Sequence, residues 1–296
     1  MKNLRESVGS AAAVASMGPV AIEARRLVRK MRGGAQAHLI EGDDEQFYVV
    51  KFRNNPLHRR ILVNEWIASA LLRFLHIDVP ATAIMNFSGR FLEENPDAFV
   101  QLRSRRVAAE QGPHFASAYP GDPHRTAVYD FIPDVLLGKV VNLSDFLGVL
   151  VFDKWACNTD ARQSLFLRTS TKQEADEEHA PIKRSAFKAI MLDHGYVFGG
   201  PDWTFADSPL QGLYFRQVVY RNVRSLDDFQ PWLDRVVNFP DEVVEGVLKQ
   251  LPPEWLENDQ RALEGLVDRL MRRRNRVPDL IQDATRGCLN VFPVWN

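Results

Sequence analysis

Gln46-Phe47-Tyr48-Val49-Val50-Lys51-Phe52 is followed, across Asn54-Asn55-Pro56, by His58-Arg59-Arg60-Ile61-Leu62-Val63-Asn64-Glu65-Trp66-Ile67-Ala68-Ser69-Ala70-Leu71-Leu72-Arg73-Phe74. The first run is β-branched and aromatic with imperfect alternation, which predicts a strand. In the second run Ile61, Leu62, Ala68 and Leu72 recur at the three- and four-residue steps of one helix face. Glu65 falls on that stripe. An ionised carboxylate buried without a partner costs several kcal/mol, so a cation is expected beside it. Lys51, at the end of the strand, is the candidate, because a helix packing back on its own sheet brings the two together. The alternative is that Glu65 sits at the edge of the stripe and reaches water.

Upstream, residues 1–20 read as a poorly ordered tail of small residues. Ile22–Met31, rich in Arg and Lys, reads as a charged turn or short helix. Arg32-Gly33-Gly34-Ala35-Gln36 then breaks the pattern, and Ala37–Glu41 pairs through a Gly42-Asp43-Asp44 turn with the strand bearing Lys51. Downstream, Ala81–Asn86 and His114–Tyr119 are further strands, with an ambiguous stretch between them. Pro120-Gly121-Asp122-Pro123 is the strongest loop signal and the expected boundary between an N-terminal lobe, 21–120, and a C-terminal lobe, 121–296.

The second lobe opens with a helix capped by Asn142 or Ser144 and running to about Trp155. Its segment Leu147–Phe152 is apolar nearly all round, hence buried. Strands Ser164–Arg168 and Phe187–Leu192 follow, joined by a charged loop, Lys172–Arg184. The rest reads as helices, with Arg272–Arg274 as a solvated helix end and Trp203, Trp232, Trp255 and Trp295 as core or interface anchors. The fold class is α+β and bilobal: a small β-rich lobe with one key helix, then a larger, mainly helical lobe.

Composition sets the outer limits. The 296 residues are 45% hydrophobic and 25% charged, enough for a large core. Thirty-seven Lys and Arg against thirty-eight Asp and Glu give a formal charge of −1, which speaks against a dedicated nucleic-acid binder. Two cysteines cannot build a disulfide framework. Ala11–Ala15 is short of the roughly 7–15 apolar residues of a signal peptide, and no run approaches the ~20 needed to span a bilayer. A cytoplasmic protein without membrane attachment is the expectation.

Two further carboxylates stand out. Asp160, in Asn158-Thr159-Asp160-Ala161-Arg162, directly follows the buried helix, where a rigid base suits a general base or metal ligand. A plain C-terminal turn, with Asn158 left-handed and Asp160 in an Asx-turn, is the alternative. Asp193, in Asp193-His194-Gly195, ends an apolar strand beside a glycine, which suits a metal ligand or an ordinary β-turn. Gly33-Gly34 lets backbone N–H groups approach a phosphate. Phosphoryl transfer lays such parts along a chain as glycine turn, strand lysine, helix glutamate, catalytic-loop Asp and strand-end Asp. Gly33/Gly34, Lys51, Glu65, Asp160 and Asp193 follow that order.

Gly33-Gly34-Ala35-Gln36-Ala37-His38-Leu39, Val49-Val50-Lys51-Phe52-Arg53-Asn54-Asn55-Pro56 and Asn64-Glu65 resemble the HipA-like kinase family. So do Asn158-Thr159-Asp160-Ala161-Arg162-Gln163 and Leu192-Asp193-His194-Gly195. The resemblance implies a protein-kinase-like fold, ATP with Mg²⁺, and phosphorylation of a protein Ser or Thr hydroxyl. It would make Lys51 a phosphate contact oriented by Glu65, Asp160 the catalytic base and Asp193 the Mg²⁺ ligand. Gly33, Gly34, Ala35 and the backbone near Gln36 would cover the phosphates. An antitoxin-like partner is implied only by analogy. Kinases carry an Asn five residues beyond the catalytic Asp as a second metal ligand; Leu165 stands there, with Gln163 or Ser164 as substitutes. A nucleotide-binding pseudokinase and a kinase of lipid or small-molecule hydroxyls stay open.

Overall fold

The computed structural model describes residues 21–172 and 183–295; the expected tail, 1–20, and most of the charged loop lie outside them. Five strands close a barrel in the order β1 (Ala21–Lys30), β2 (His38–Gly42), β3 (Phe47–Lys51), β7 (Gly112–Ala118) and β4 (Thr82–Phe87). Helix α1 (Arg60–Phe74) follows β3, and α2 (Gly89–Glu94) follows β4. A two-stranded ribbon of β5 (Phe99–Leu102) and β6 (Arg105–Ala108) lies between β4 and β7 in sequence.

Beyond the barrel come β8 (Val128–Tyr129), α3 (Asp134–Leu137), α4 (Asp145–Trp155) and the long hairpin of β9 (Gln163–Lys172) and β10 (Lys183–Leu192). A 3₁₀ turn at Val197–Asp202 leads to the C-terminal helices α5 (Gln217–Tyr220), α6 (Trp232–Val237), α7 (Asp241–Leu248), α8 (Pro253–Leu256), α9 (Gln260–Arg273) and α10 (Val277–Gly287). The fold is α+β: a β-rich N-terminal half with one long helix, then mainly helical structure.

Alternation on β3 sets up the site. Tyr48 and Val50 enter the barrel core with Phe52, so Lys51 leaves on the opposite face, beneath α1. Helix α1 is buried around its whole circumference from Ile61 to Leu72, not along one stripe. It is wedged between the barrel and α7, α8 and the 3₁₀ turn. Trp255 of α8 closes the wedge: its ring meets Trp66 edge-on at 6.1 Å, and its indole N–H donates to Pro113 O of β7 at 2.9 Å.

Two expectations are corrected. Ile22–Met31 is not a turn or helix but strand β1. Register shifts between Ala24 and Arg26 and between Leu27 and Arg29 interrupt its alternation, so no period of two survives in the sequence. Arg272–Arg274 is not simply a solvated end either. Arg273 is buried, donating to Lys154 O at 3.0 Å and pairing with Asp207. The strands joined by the charged loop also run further than expected, to Lys172 and from Lys183.

Candidate functional site

Lys51 is the centre of the site. Its ammonium, buried under α1, bonds Glu65 Oε1 and, at 2.8 Å, Asp193 Oδ1 at the end of β10. Burial opposes the lysine's charge, but the two carboxylates outweigh it and raise its pKa above the ordinary value. The ammonium in turn holds the Asp193 carboxyl below the usual carboxylate range. Burial pushes Glu65 the other way, upward, against the pull of Lys51. Glu65 therefore points inward to its cation; it does not reach water.

Asp193 is held in the left-handed region, φ 58°, which is uncommon for a residue with a Cβ. The chain after it is fixed by Asn64, the neighbour of Glu65 on α1. The Asn64 amide donates to the carbonyls of Gly195 (2.7 Å), Val197 (3.1 Å) and Gly200 (3.2 Å), while its oxygen accepts from Trp203 Nε1 at 2.8 Å. Gly195 is required for close approach: a Cβ there would lie 2.8 Å from Ile61 Cγ2 and 3.5 Å from Glu65 Oε1.

A second buried charge pair lies behind the cleft. Arg162 clasps Asp153 of α4, with Nε 2.9 Å from Oδ2 and an Nη2 bond to Oδ1, and both side chains have 0% exposure. The same guanidinium donates to Leu192 O at 3.2 Å and to His194 Nδ1 at 2.8 Å, one residue on either side of Asp193. His194, buried beside Arg162, has its pKa driven well below the ordinary histidine value, which leaves Nδ1 free to accept. Asp153 also accepts from Asn158 Nδ2 at 3.1 Å, and the Asn158 oxygen accepts the Asp160 N–H at 3.1 Å. One carboxylate thus anchors both the Asp160 loop and the Asp193 turn.

The α4 helix is left through Cys157, φ 50°, not through Asn158. Asp160 itself is exposed; its Oδ1 accepts the Ala161 N–H at 2.7 Å. Thr159 ties this loop to the Asp193 side, its N–H and hydroxyl bonding Tyr196 O at 3.0 and 3.1 Å.

A cleft of about 480 Å³ gathers these elements, lined by Gly33, Gly34 and Ala35 from the β1–β2 turn, Lys51, Asp160, Gln163 and Asp193, with Arg32, Leu57, Ile61, Thr159, Gly195 and Tyr196. Gly33 adopts φ 117°, open to glycine alone. Of the expected residues, Glu65 lies behind Lys51, and Gln36 turns away. The Gln36 carboxamide donates to Gln101 O and accepts the Gln101 N–H, both at 2.8 Å. Of the two substitutes for the missing Asn, Gln163 opens on the cleft and Ser164 is buried.

Asn64, Asp153 and the inward role of Arg162 and His194 escaped the reading of the sequence. The signal for Asp153 was an acid at the end of an otherwise apolar helix, where it passes for the exposed flank of a buried segment.

Two solved structures are similar to the chain. The crystal structure of the Golgi casein kinase with Mn/ADP bound is 11% identical with a TM-score of 0.45, covering 95% of this chain and 76% of that chain. The crystal structure of the Golgi casein kinase is 13% identical with a TM-score of 0.44, covering 96% and 78%. No curated protein matches the sequence. The sequence profile of the family described as HipA-like kinase matches residues 24–279, from β1 into α10 and through every element that lines the cleft. With most of its length matched, the chain belongs to the HipA-like kinase family.

Proposed function

We propose that the protein is an ATP- and Mg²⁺-dependent phosphotransferase acting on a Ser or Thr hydroxyl of a protein. The observation that carries this reading is the placing of Lys51 between Glu65 and Asp193 in a cleft that Asp160 and the glycine turn also line. Lys51, kept charged by its two carboxylates, contacts the phosphates as a point charge. Glu65 and Asp193 fix the direction of its four-carbon stem, and the main-chain N–H groups of Gly33, Gly34 and Ala35 cover the phosphates. Asp160 holds the acceptor hydroxyl and takes up its proton, which an exposed carboxylate on an anchored loop can do.

Oxygen donors alone, the Asp193 carboxylate and the Gln163 amide, face the cleft for a metal. That set fits Mg²⁺, which is bound by one or two protein oxygens together with substrate phosphates. Among the described residues no group of three or more His, Cys, Asp and Glu could hold an ion; Asp193 and Gln163 would hold the metal together with water and substrate phosphates. When bound, the metal neutralises charge on the phosphate oxygens.

The test is transfer of the γ-phosphoryl group to protein, read as radiolabel or as a mass increase of about 80 Da, the phosphate added to a hydroxyl. Asp160→Asn should lower the rate by roughly 10²–10⁴-fold with ATP binding intact. Leu165 in place of the usual Asn favours the second reading, a nucleotide-binding pseudokinase. ATP binding by the wild-type chain with no transfer to any acceptor would establish it.

A further inference from the structure

Beside the glycine turn the barrel carries a second groove, of about 360 Å³, lined by Leu27, Val28, Arg29, Lys30, Asp97 and Phe99. It runs between two incompletely paired strands. β1 pairs with β4 only over Ala21–Glu23, so its second half has one neighbour, β2. β5 pairs with β6 alone. Part of each edge is already taken by side-chain amides: the Gln36 carboxamide satisfies both main-chain groups of Gln101, and Asn95 Oδ1 accepts the Leu27 N–H at 2.9 Å. What the groove offers an extended segment is therefore its side chains and not a free ladder.

The charge around the groove is one-sided. Arg29, Lys30 and Arg106 are exposed, and none has a carboxylate partner among the described residues. Lys30 and Arg106 lie over the Phe99 ring, at 5.3 and 4.5 Å from its centroid, so the apolar wall is capped by cations. Asp97 is the one acid in the lining. In a chain of formal charge −1 this is a local concentration of positive charge.

We infer that this groove docks an acidic, extended segment of the protein acceptor. The segment would lie extended along the groove and set its carboxylates among Arg29, Lys30 and Arg106. Gln36 links β5 to the turn that lines the cleft, so the groove and the glycine turn share a side chain. Naming the occupant as an acceptor rests on the proposed phosphotransfer; the binding itself does not.

The experiment therefore omits nucleotide. A fluorescent Asp/Glu-rich peptide about ten residues long, enough for an extended run across the groove, and lacking Ser, Thr and Tyr, is titrated with the full chain by anisotropy. A basic peptide and a single-stranded oligonucleotide of equal charge are run beside it. Saturable binding of the acidic peptide is expected, weakening as salt rises and falling about tenfold in Arg29→Glu/Arg106→Glu. Since Arg106 also packs on Phe99, Arg29→Glu alone provides a second variant, expected to weaken binding in the same direction while ATP binding reports an intact fold. Three results would overturn the inference: no binding of the acidic peptide, binding unchanged in both charge reversals, or tighter binding of the oligonucleotide. Loss of phosphate transfer with peptide binding retained would sink the kinase reading and leave the groove standing.

Discussion

Asp153→Asn, set beside Arg162→Met and the double replacement Asp153→Leu/Arg162→Met, measures what the buried pair behind the cleft contributes. Both side chains are wholly enclosed. Removing one partner of such a pair costs about 3–5 kcal/mol, because the other charge stays buried and uncompensated. Asparagine keeps one acceptor oxygen for the guanidinium, so Asp153→Asn should fall near the lower end, about 3 kcal/mol. Arg162→Met strands the Asp153 carboxylate with Asn158 as its remaining donor and leaves Leu192 O and His194 Nδ1 without theirs. The double replacement buries no charge and leaves only neutral groups unpaired. At about 1 kcal/mol for each of those three, it should cost about 3 kcal/mol, far below the sum of the singles.

The two single variants should respond to pH in opposite ways. Arginine cannot shed its proton, so the cost of Asp153→Asn should not shrink on acidification. Burial already pushes the Asp153 carboxyl upward, and without Arg162 nothing cationic opposes it as directly. A carboxyl whose folded-state pKa exceeds the unfolded value destabilises fully above the folded pKa, and that cost is relieved as pH falls toward the unfolded one. The penalty of Arg162→Met should therefore narrow between pH 7 and about pH 5, a window set by the unfolded carboxyl near 3.9. Urea unfolding followed by two probes gives the free energies. Singles costing under about 1 kcal/mol, or a double variant as unstable as their sum, would refute the reasoning. So would an Arg162→Met penalty independent of pH.

Three further outcomes are expected. Lys51→Met sets the buried Glu65 against Asp193 with no cation between them; phosphate transfer should vanish, and the stability lost at pH 7 should partly return at pH 5 as Glu65 takes up a proton, followed by urea unfolding at the two pH values. Gly195→Ala drives a methyl against Ile61 and should cost about 1–3 kcal/mol, the usual price of overpacking, with transfer lowered; an unchanged melting temperature would contradict it. His38 stacks on Phe52 at 4.5 Å, and burial lowers its pKa to about 4, while His114 is lowered to about 3. Below the unfolded value of about 6.5 the unfolded chain binds protons that these histidines refuse, so each should take up to ~1.4 kcal/mol per pH unit from stability as pH falls toward 4. His38→Phe should flatten that slope, and parallel melting curves for variant and wild type from pH 7 to pH 4.5 would count against it.

Much of this arrangement was legible in the sequence because it rests on local conflicts. Glu65 on an apolar helix and Lys51 at the end of an apolar strand each contradict their surroundings, and a single pairing resolves both. The order of glycine turn, lysine, glutamate and two aspartates then narrowed what that pairing serves. The parts that escaped are those in which the local sequence is consistent with a duller structure. Ile22–Met31 reads as a charged turn or short helix because two bulges in β1 remove the alternation that would have announced a strand. Nothing local marks Asp153 and Lys154 as buried, and only the return of Arg162, Ser208, Pro209 and Gln211 from later in the chain encloses them.

That difference bears on how the site is built. Lys51, Glu65 and Asp193 touch one another, so their chemistry is visible in residue type. Asp153 touches none of them, and its influence passes through Arg162 to the residues flanking Asp193 and through Asn158 to Asp160. A carboxylate with two such arms couples the positions of the two cleft aspartates: a displacement of one cannot occur without stretching bonds to the same anchor. The stability and the transfer rate of Asp153 and Arg162 variants should then separate. The double replacement should regain most of the folding free energy expected from additive losses, while transfer stays low, because neutral packing can fill the space but cannot supply the donors that hold Leu192 and His194.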